Sequence, residues 1–127
     1  MTDLSHGLAD KLVLVTGASR GIGRAVAVSA AVAGAELVIT GRTIGALEEV
    51  DDEIKAAGGK ATIVELDMKD TAAIPRLAAA IEGRWGRLDG LVANAGMLPA
   101  LTPVAHLQEK DWDESIAVNL SGQWHLI

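Results

Sequence analysis

The chain has 127 residues, of which 50% are hydrophobic, and it carries a formal net charge of −6. It contains no cysteine, which excludes disulfides and thiolate chemistry. The acidic balance argues against binding to nucleic acid or to an anionic membrane. A chain of this length forms one domain that buries about two-thirds of its unfolded surface. We find no apolar run near the roughly 18 residues of a membrane span and no signal-sequence pattern, so we expect a cytoplasmic protein.

The first strong signal is the segment Thr16–Gly23, which reads Thr-Gly-Ala-Ser-Arg-Gly-Ile-Gly. An apolar stretch before it predicts a buried strand over 11–16, and an alanine-rich stretch after it predicts a helix over 22–33. A glycine-rich turn in this position presents backbone N–H groups and the positive end of a helix to a phosphate. The alternative is a tight turn that binds nothing, but the flanking strand and helix favour a nucleotide site.

The three glycines of this turn have different expected roles. Gly17 permits a sharp turn, Gly21 lets the backbone approach a pyrophosphate, and Gly23 lets the helix pack closely on the strand. Their spacing, Gly-x-x-x-Gly-x-Gly preceded by Thr, resembles the turn of the short-chain dehydrogenase/reductase family. The resemblance implies a nicotinamide dinucleotide cofactor. It assigns cofactor binding in this turn to Thr16, Gly17, Ser19, Arg20, Gly21, Ile22 and Gly23.

The end of the second strand, predicted over 36–40, indicates which form of the cofactor binds. An Asp or Glu at this point holds the ribose 2′-hydroxyl of NAD(H), but this chain has Gly-Arg-Thr instead. Arg42 offers a planar guanidinium to a 2′-phosphate, and Arg20 approaches the same phosphate from the glycine turn. Each Arg alone is equally compatible with a solvated surface cation. Together, Arg20 and Arg42 predict a site that prefers NADP(H) over NAD(H), and the neighbouring Thr43 is also assigned to cofactor binding.

The next helix is predicted through residue 57, with Thr43 as its cap. Leu47, Val50 and Ile54 recur at three- and four-residue steps, which predicts one buried face. The acidic run at 51–53 lies outside that pattern and predicts a solvated face. We therefore expect no metal site.

A third strand is predicted over 60–66 and ends at Asp67-Met68. This is where an adenine would lie if the first three strands are neighbours. The family resemblance implies that Asp67 hydrogen-bonds the adenine amino group and that Met68 packs on the ring. Asp67 is also suited to capping a loop. A helix is predicted to follow, from residue 70 or 71 to residue 82.

A second strong signal lies in residues 87–96, where a short apolar strand ends in Asn94-Ala95-Gly96. This end resembles the Asn-Asn-Ala-Gly element of the same family, with Ala93 in place of the first Asn. In the family the element steadies the central sheet and backs the cofactor. The resemblance therefore assigns cofactor binding to Asn94, Ala95 and Gly96.

The last helix is predicted to begin near residue 108 and to be still running at the end of the sequence, without a cap. Its apolar residues that we expect in the core are Trp112, Ile116, Val118 and Leu120. Asn119 matches the family's catalytic Asn, which holds a water that relays protons. Without the resemblance, an Asn in the middle of a helix predicts a structural role.

Together these elements predict an α/β fold over residues 11–127, preceded by a polar leader over 1–10. The sheet is expected to be parallel, doubly wound and Rossmann-like, with strand order 3-2-1-4. The resemblance implies that the chain is truncated before strands five to seven.

The resemblance also implies an oxidoreductase that transfers hydride between nicotinamide and a small carbonyl or alcohol substrate. The family's catalytic Ser, Tyr and Lys follow the fifth and sixth strands, and this chain contains no tyrosine. We therefore expect cofactor binding without turnover, and homo-oligomers that cover the bare edge of the fourth strand. The alternative is a noncatalytic nucleotide-binding or structural module. A flavin or S-adenosylmethionine fold is less favoured, because Arg42 suits a phosphate.

Overall fold

The computed structural model of the chain describes residues 7–127, in which strands and helices alternate. The strands are β1 (Leu12–Val15), β2 (Glu36–Gly41), β3 (Lys60–Glu65) and β4 (Gly90–Val92). The helices are α1 (Gly21–Val32), α2 (Ile44–Ala56), α3 (Ala73–Trp85), α4 (Glu109–Ile116) and α5 (Gly122–Leu126). The remaining elements are a 3-10 turn (Val104–His106) and a π-helical segment (Ala117–Ser121) that joins α4 to α5.

The four strands form one parallel sheet in the order β3-β2-β1-β4, so the predicted strand order is confirmed. Val13 lies opposite Leu37 of β2 on one side and opposite Gly90 of β4 on the other. On the far side of β2, Leu37 lies opposite Ala61 of β3. All four strands therefore point their carboxyl ends towards the same edge of the sheet.

Side chains of β1 alternate between two buried layers, as the pleat of a strand requires. Val13 and Val15 pack with α1 and α2, whereas Leu12 and Leu14 pack with α3 on the opposite face. The buried face predicted for α2 is confirmed, with Leu47, Val50 and Ile54 fully buried. The corresponding face of α3 carries Ile74, Leu77 and Ile81. The sheet is thus covered by helices on both faces, which confirms the doubly wound class.

The predicted polar leader lies partly outside the described residues, which begin at Gly7. Leu8, within the described part, donates its N–H to the carbonyl of Ala33 at 2.9 Å and packs against the α1 side of the core. The carbonyl of Asp10 accepts a hydrogen bond from the Arg87 guanidinium at 2.8 Å. Residues 7–10 are therefore attached to the domain at both ends of this short turn.

The helix α3 begins later than predicted, at residue 73, and runs on to residue 85. The reason is a pair of turns after β3, in which the N–H of Asp70 donates to the carbonyl of Asp67 at 2.9 Å. The N–H of Thr71 donates to the carbonyl of Lys69 at 3.1 Å. These bonds hold the chain in a loop where a helix was expected.

The prediction that Trp112, Ile116 and Leu120 lie in the core is wrong. Their exposed fractions are 58%, 37% and 63%, whereas Val118 is buried as predicted. The three exposed residues are four positions apart and share one helical face, which points away from the sheet. A different face of these helices packs against the loop after β3. A Cβ built on Gly122 would lie 2.8 Å from the carbonyl oxygen of Met68.

Within residues 7–127, no helix has both the length and the apolar character needed to cross a lipid bilayer.

Asp89 links the start of β1 to the start of β4. Its carboxylate accepts the N–H of Leu12 at 2.7 Å, and its own N–H donates to the Leu12 carbonyl at 3.0 Å. The Arg87 guanidinium donates to the same carboxylate oxygen at 3.1 Å. The Leu12 N–H, with a smaller contribution from Arg87, holds the pKa of Asp89 below its ordinary value.

A carboxyl whose pKa falls on folding stabilises the protein above its unfolded pKa, near 3.9, and loses that contribution as pH falls through the folded pKa. We expect D89N to unfold at lower urea concentration than the original chain at about pH 7. The difference should shrink steadily below about pH 4. Urea titrations across this range measure it, with D113N on the exposed face of α4 as the matched control. A difference that is the same at all pH values would contradict the assignment.

Candidate functional site

The glycine turn between β1 and α1 lies directly against the loop that follows β4. Gly17 has a φ of +62°, and a Cβ built on it would lie 2.8 Å from Ala95 Cα. A Cβ on Gly23 would overlap the carbonyl of Gly17, so this position also requires glycine. Gly21 also has a positive φ, but a Cβ there would meet no atom within 4 Å. Two of the glycines therefore serve packing, while the third faces open space.

Thr16 connects the two loops through its side chain. It is fully buried, and its hydroxyl oxygen accepts the N–H groups of Asn94 and Ala95, each at 3.1 Å. The hydroxyl donates to the carbonyl of Val92 at 3.4 Å. In the other direction, the side-chain amide of Asn94 donates to the carbonyl of Gly17 at 3.1 Å. The two loops are thus held together by hydrogen bonds in both directions.

A cleft of about 290 Å³ opens above these loops at the carboxyl edge of the sheet. It brings together residues that lie up to 101 positions apart in the sequence, from Gly17 to Val118. Most of them meet here because all four strands end at this edge. The predicted site residues that line it are Gly17, Ser19, Arg20, Gly21, Ile22, Arg42, Asp67, Met68, Asn94, Ala95 and Gly96.

Four predicted site residues do not line the cleft. Thr16 and Gly23 are buried beneath it, where they hold the turn and the loop together. Thr43 is the N-cap residue of α2, as predicted, but its side chain makes no capping hydrogen bond. Asn119 lies in the π-helical segment behind the loop that follows Gly96.

Two arginines occupy the rim of the cleft. Arg20 leaves the glycine turn and Arg42 leaves the end of β2, and both are exposed. Within residues 7–127, neither guanidinium forms an ion pair with a carboxylate. The last residue of β2, directly before Arg42, is the buried Gly41, so no acidic side chain stands at the end of this strand. The two cations are therefore available to an anionic ligand.

Asp67 and Met68 form the part of the wall that follows β3. Met68 is buried, and its side chain belongs to the core layer beneath the cleft. One carboxylate oxygen of Asp67 accepts the N–H of Lys69 at 3.0 Å, so this residue does cap a turn. Its second oxygen accepts no hydrogen bond from the described residues. One carboxylate oxygen of Asp67 therefore caps the turn, and the other is left for a ligand.

The side chain of Asn119 forms two hydrogen bonds with the backbone of Met97. The N–H of Met97 donates to Asn119 Oδ1 at 2.8 Å, and Asn119 Nδ2 donates to the Met97 carbonyl at 2.8 Å. Nδ2 also donates to the hydroxyl of Ser115 at 3.2 Å. The side-chain amide is therefore engaged within the protein through both Oδ1 and Nδ2.

Sequence reasoning missed several residues of the cleft, namely Thr40, Gly41, Leu66, Met97 and Val118. The first three stand at the ends of β2 and β3, and the convergence of parallel strands at one edge was a signal for them. Met97 and Val118 line the cleft because the loop after β4 packs against the last helices. No local sequence pattern indicates that contact.

No group of three or more His, Cys, Asp or Glu side chains suited to a metal ion occurs within residues 7–127. What the cleft does offer is a glycine turn at a helix N-terminus, two unpaired guanidinium groups and a wall of small residues. A parallel sheet in the order 3-2-1-4 with such a turn after β1 defines a Rossmann-like dinucleotide-binding domain.

Comparison with known proteins agrees with this class. The family model described as short chain dehydrogenase matches residues 11–127. The chain therefore belongs to the short-chain dehydrogenase family.

Three relatives illustrate the match. A 3beta-hydroxysteroid dehydrogenase of Mediterraneibacter gnavus is 40% identical over 112 residues, which are 88% of this chain and 41% of the relative. A gluconate 5-dehydrogenase of Gluconobacter oxydans is 39% identical over 108 residues, or 85% of this chain and 42% of the relative. The crystal structure of a metagenomic short-chain oxidoreductase in complex with NADP superposes with a TM-score of 0.90 at 39% identity. The superposition covers 94% of this chain and 54% of that one. The chain thus spans about half the length of the relatives it matches.

Proposed function

We propose that this chain is the NADP(H)-binding portion of a short-chain oxidoreductase that transfers hydride between nicotinamide and a carbonyl or alcohol substrate. The observation that carries the cofactor choice is the pair Arg20 and Arg42, both unpaired within the described residues, on the rim of a cleft whose β2 end has no carboxylate. An acidic residue at that point would repel a 2′-phosphate. Two guanidinium groups attract it.

The size of the preference follows from the strength of charge-assisted hydrogen bonds. Each bond to a charged group contributes about 1.5–3 kcal/mol. A single such bond that forms with NADPH and not with NADH gives a preference of roughly tenfold or more. This argument is supported by the relative that was crystallised with NADP.

The remaining cleft residues fit the other parts of the cofactor. The open backbone at Gly21 and the adjoining N-terminus of α1 suit the pyrophosphate, because N–H groups there have no helical partner. The free carboxylate oxygen of Asp67 suits the adenine amino group, with Met68 beside it. Ala95 and Gly96 form the wall that backs the nicotinamide end. When bound, the cofactor supplies the hydride.

Thermal melting with NADPH, with NADH and without ligand tests this proposal. A ligand at about one hundred times its dissociation constant stabilises the fold by about 2.7 kcal/mol, which raises the melting temperature by several degrees. We expect this shift with NADPH and a smaller one with NADH at equal concentration. Replacing Arg42 or Arg20 with Ala should reduce the ratio of the two affinities roughly tenfold.

Arg76→Ala is the matched control, because Arg76 is exposed and its guanidinium pairs with Asp70 away from the cleft. It should leave the ratio unchanged. Equal affinity for NADPH and NADH in the original chain would contradict the cofactor preference. A cooperative melt that neither ligand shifts would contradict cofactor binding altogether and would favour a structural or interaction module.

We further propose that the 127-residue chain binds cofactor without turnover. In this family a tyrosine donates the proton, and no tyrosine occurs in the sequence. Asn119, the one catalytic position that the resemblance assigns here, has its side chain committed to Met97. It therefore contributes by holding the loop after β4.

An assay that follows NADPH absorbance over a panel of aldehydes and ketones checks this. We expect no rate above that of buffer, under conditions where melting shows that NADPH is bound. Consumption of NADPH that scales with protein concentration would contradict the proposal, since the general acid would then have to be another residue of this chain.

The exposed apolar surface of the chain supports the proposal of a homo-oligomer. An exposed apolar stripe runs along α4, the π-helical segment and α5, with a large apolar residue at every fourth position: Trp112, Ile116, Leu120 and Trp124. β4 is an edge strand of the sheet. Contiguous apolar surface and open strand edges both recruit a partner, and a second copy offers the same stripe in return.

Light scattering at micromolar concentration measures the mass directly. We expect dimers or larger species, and a shift towards the monomer in L120K, because a charge at the middle of the stripe would have to be desolvated in the contact. L101K, which places the same charge on an exposed loop, is the control and should not change the mass. A monomeric mass for the original chain would contradict the oligomer.

A further inference from the structure

Gln123 at the start of α5 reaches across to the loop after β4. Its Nε2 donates to the carbonyl of Ala95 at 2.7 Å and to the carbonyl of Val118 at 3.2 Å. The first bond spans 28 positions in the sequence and ends at the cleft wall, whereas the second stays within the helix. Gln123 itself does not line the cleft.

The two bonds fix the orientation of the Gln123 amide, since both neighbours are carbonyl oxygens and accept only from the nitrogen. Its Oε1 is consequently directed elsewhere, and it is buried without a hydrogen-bond partner among the described residues. A buried acceptor that lacks a donor lowers the stability of the fold. The side chain therefore combines two favourable hydrogen bonds with one unfavourable feature that offsets part of their contribution to stability.

The contact with Ala95 completes a set of bonds around one short piece of backbone. The N–H of Ala95 donates to Thr16 at 3.1 Å, and its carbonyl accepts from Gln123. The next peptide but one, at Met97, is held on both sides by Asn119. The wall formed by Ala95 and Gly96 is thus held on one side by Thr16, which follows β1, and on the other side by residues of the last helices.

We propose that Gln123 is a positioning residue that sets the orientation of the Ala95–Gly96 wall and so the affinity of the cleft for its dinucleotide. This inference rests on the proposed cofactor function. It assigns to α5 a role in the site although none of its residues lines the cleft. Loss of the Gln123 donor frees the Ala95 carbonyl, so that the peptide planes of the wall rotate among several orientations.

The test compares Q123M with the original chain in two measurements. Methionine keeps the length and flexibility of the side chain but removes both the donor and the buried Oε1. Because the removal of one buried acceptor without a partner offsets the loss of two ordinary hydrogen bonds, we expect the melting temperature without ligand to change by less than about 2 °C. We expect the dissociation constant for NADP+, measured by calorimetry, to rise about fivefold to tenfold.

The second measurement is amide hydrogen exchange in the absence of ligand. We expect the N–H groups of Ala95 and Met97 to exchange about fivefold faster in Q123M, while those of β1 and β2 are unchanged. Q108M provides the matched control, because Gln108 is exposed and makes no side-chain cap. It should alter neither exchange nor affinity. If Q123M does not melt cooperatively, Q123N replaces it, since the shorter amide does not reach Ala95.

The outcomes separate this inference from the proposed function. If the original chain binds neither NADP+ nor NADPH, the cofactor function fails, and the exchange data still decide whether Gln123 fixes the loop. An affinity and exchange rates in Q123M equal to those of the original chain overturn the positioning role. A weaker affinity that merely follows a large fall in melting temperature also overturns it, because the role is then one of general stability.

Discussion

The close contact between the glycine turn and the loop after β4 is the constraint on which the rest of the site depends. β1 and β4 are neighbours in the sheet, and their following loops approach until Gly17 and Ala95 leave no space for a side chain. Thr16 converts this approach into hydrogen bonds, since one buried hydroxyl serves two N–H groups and one carbonyl. Because the two loops are held together through their backbones, the floor of the cleft is well ordered without large side chains. The volume of the cleft is therefore left for a ligand.

The wall above that floor is held by residues that do not themselves line the cleft. Asn119 and Gln123 come from consecutive turns near the end of the chain, and each bonds a different peptide of the loop after β4. The two residues are four positions apart, a spacing that places side chains on the same face of a helix. Both amides can therefore face the same loop.

The sequence was sufficient for those features that depend on local pattern and on the geometry of parallel sheets. Strand order, the two buried layers and most of the cleft follow from apolar runs, the glycine turn and the convergence of strand ends. The last helices were harder, because Trp112 and Val118 both fit an apolar period and only the sheet decides which of them is covered. The pairings of Asn119 and Gln123 with the loop were also beyond prediction, since they join residues 22 and 28 positions apart through side chains that carry no pattern.

The charge at the rim of the cleft differs in sign from the net charge of the chain. The chain carries a net charge of −6, which by itself would repel a polyanionic cofactor. Exposed charges farther away than about 8–10 Å are largely screened at physiological salt, so the sum over the surface matters little at the rim. The charged residues in the lining of the cleft are Arg20, Arg42 and Asp67, of which the two arginines attract a phosphate. A 2′-phosphate bound at this rim gains from two nearby cations whatever the overall charge, and its affinity should therefore fall as salt concentration rises.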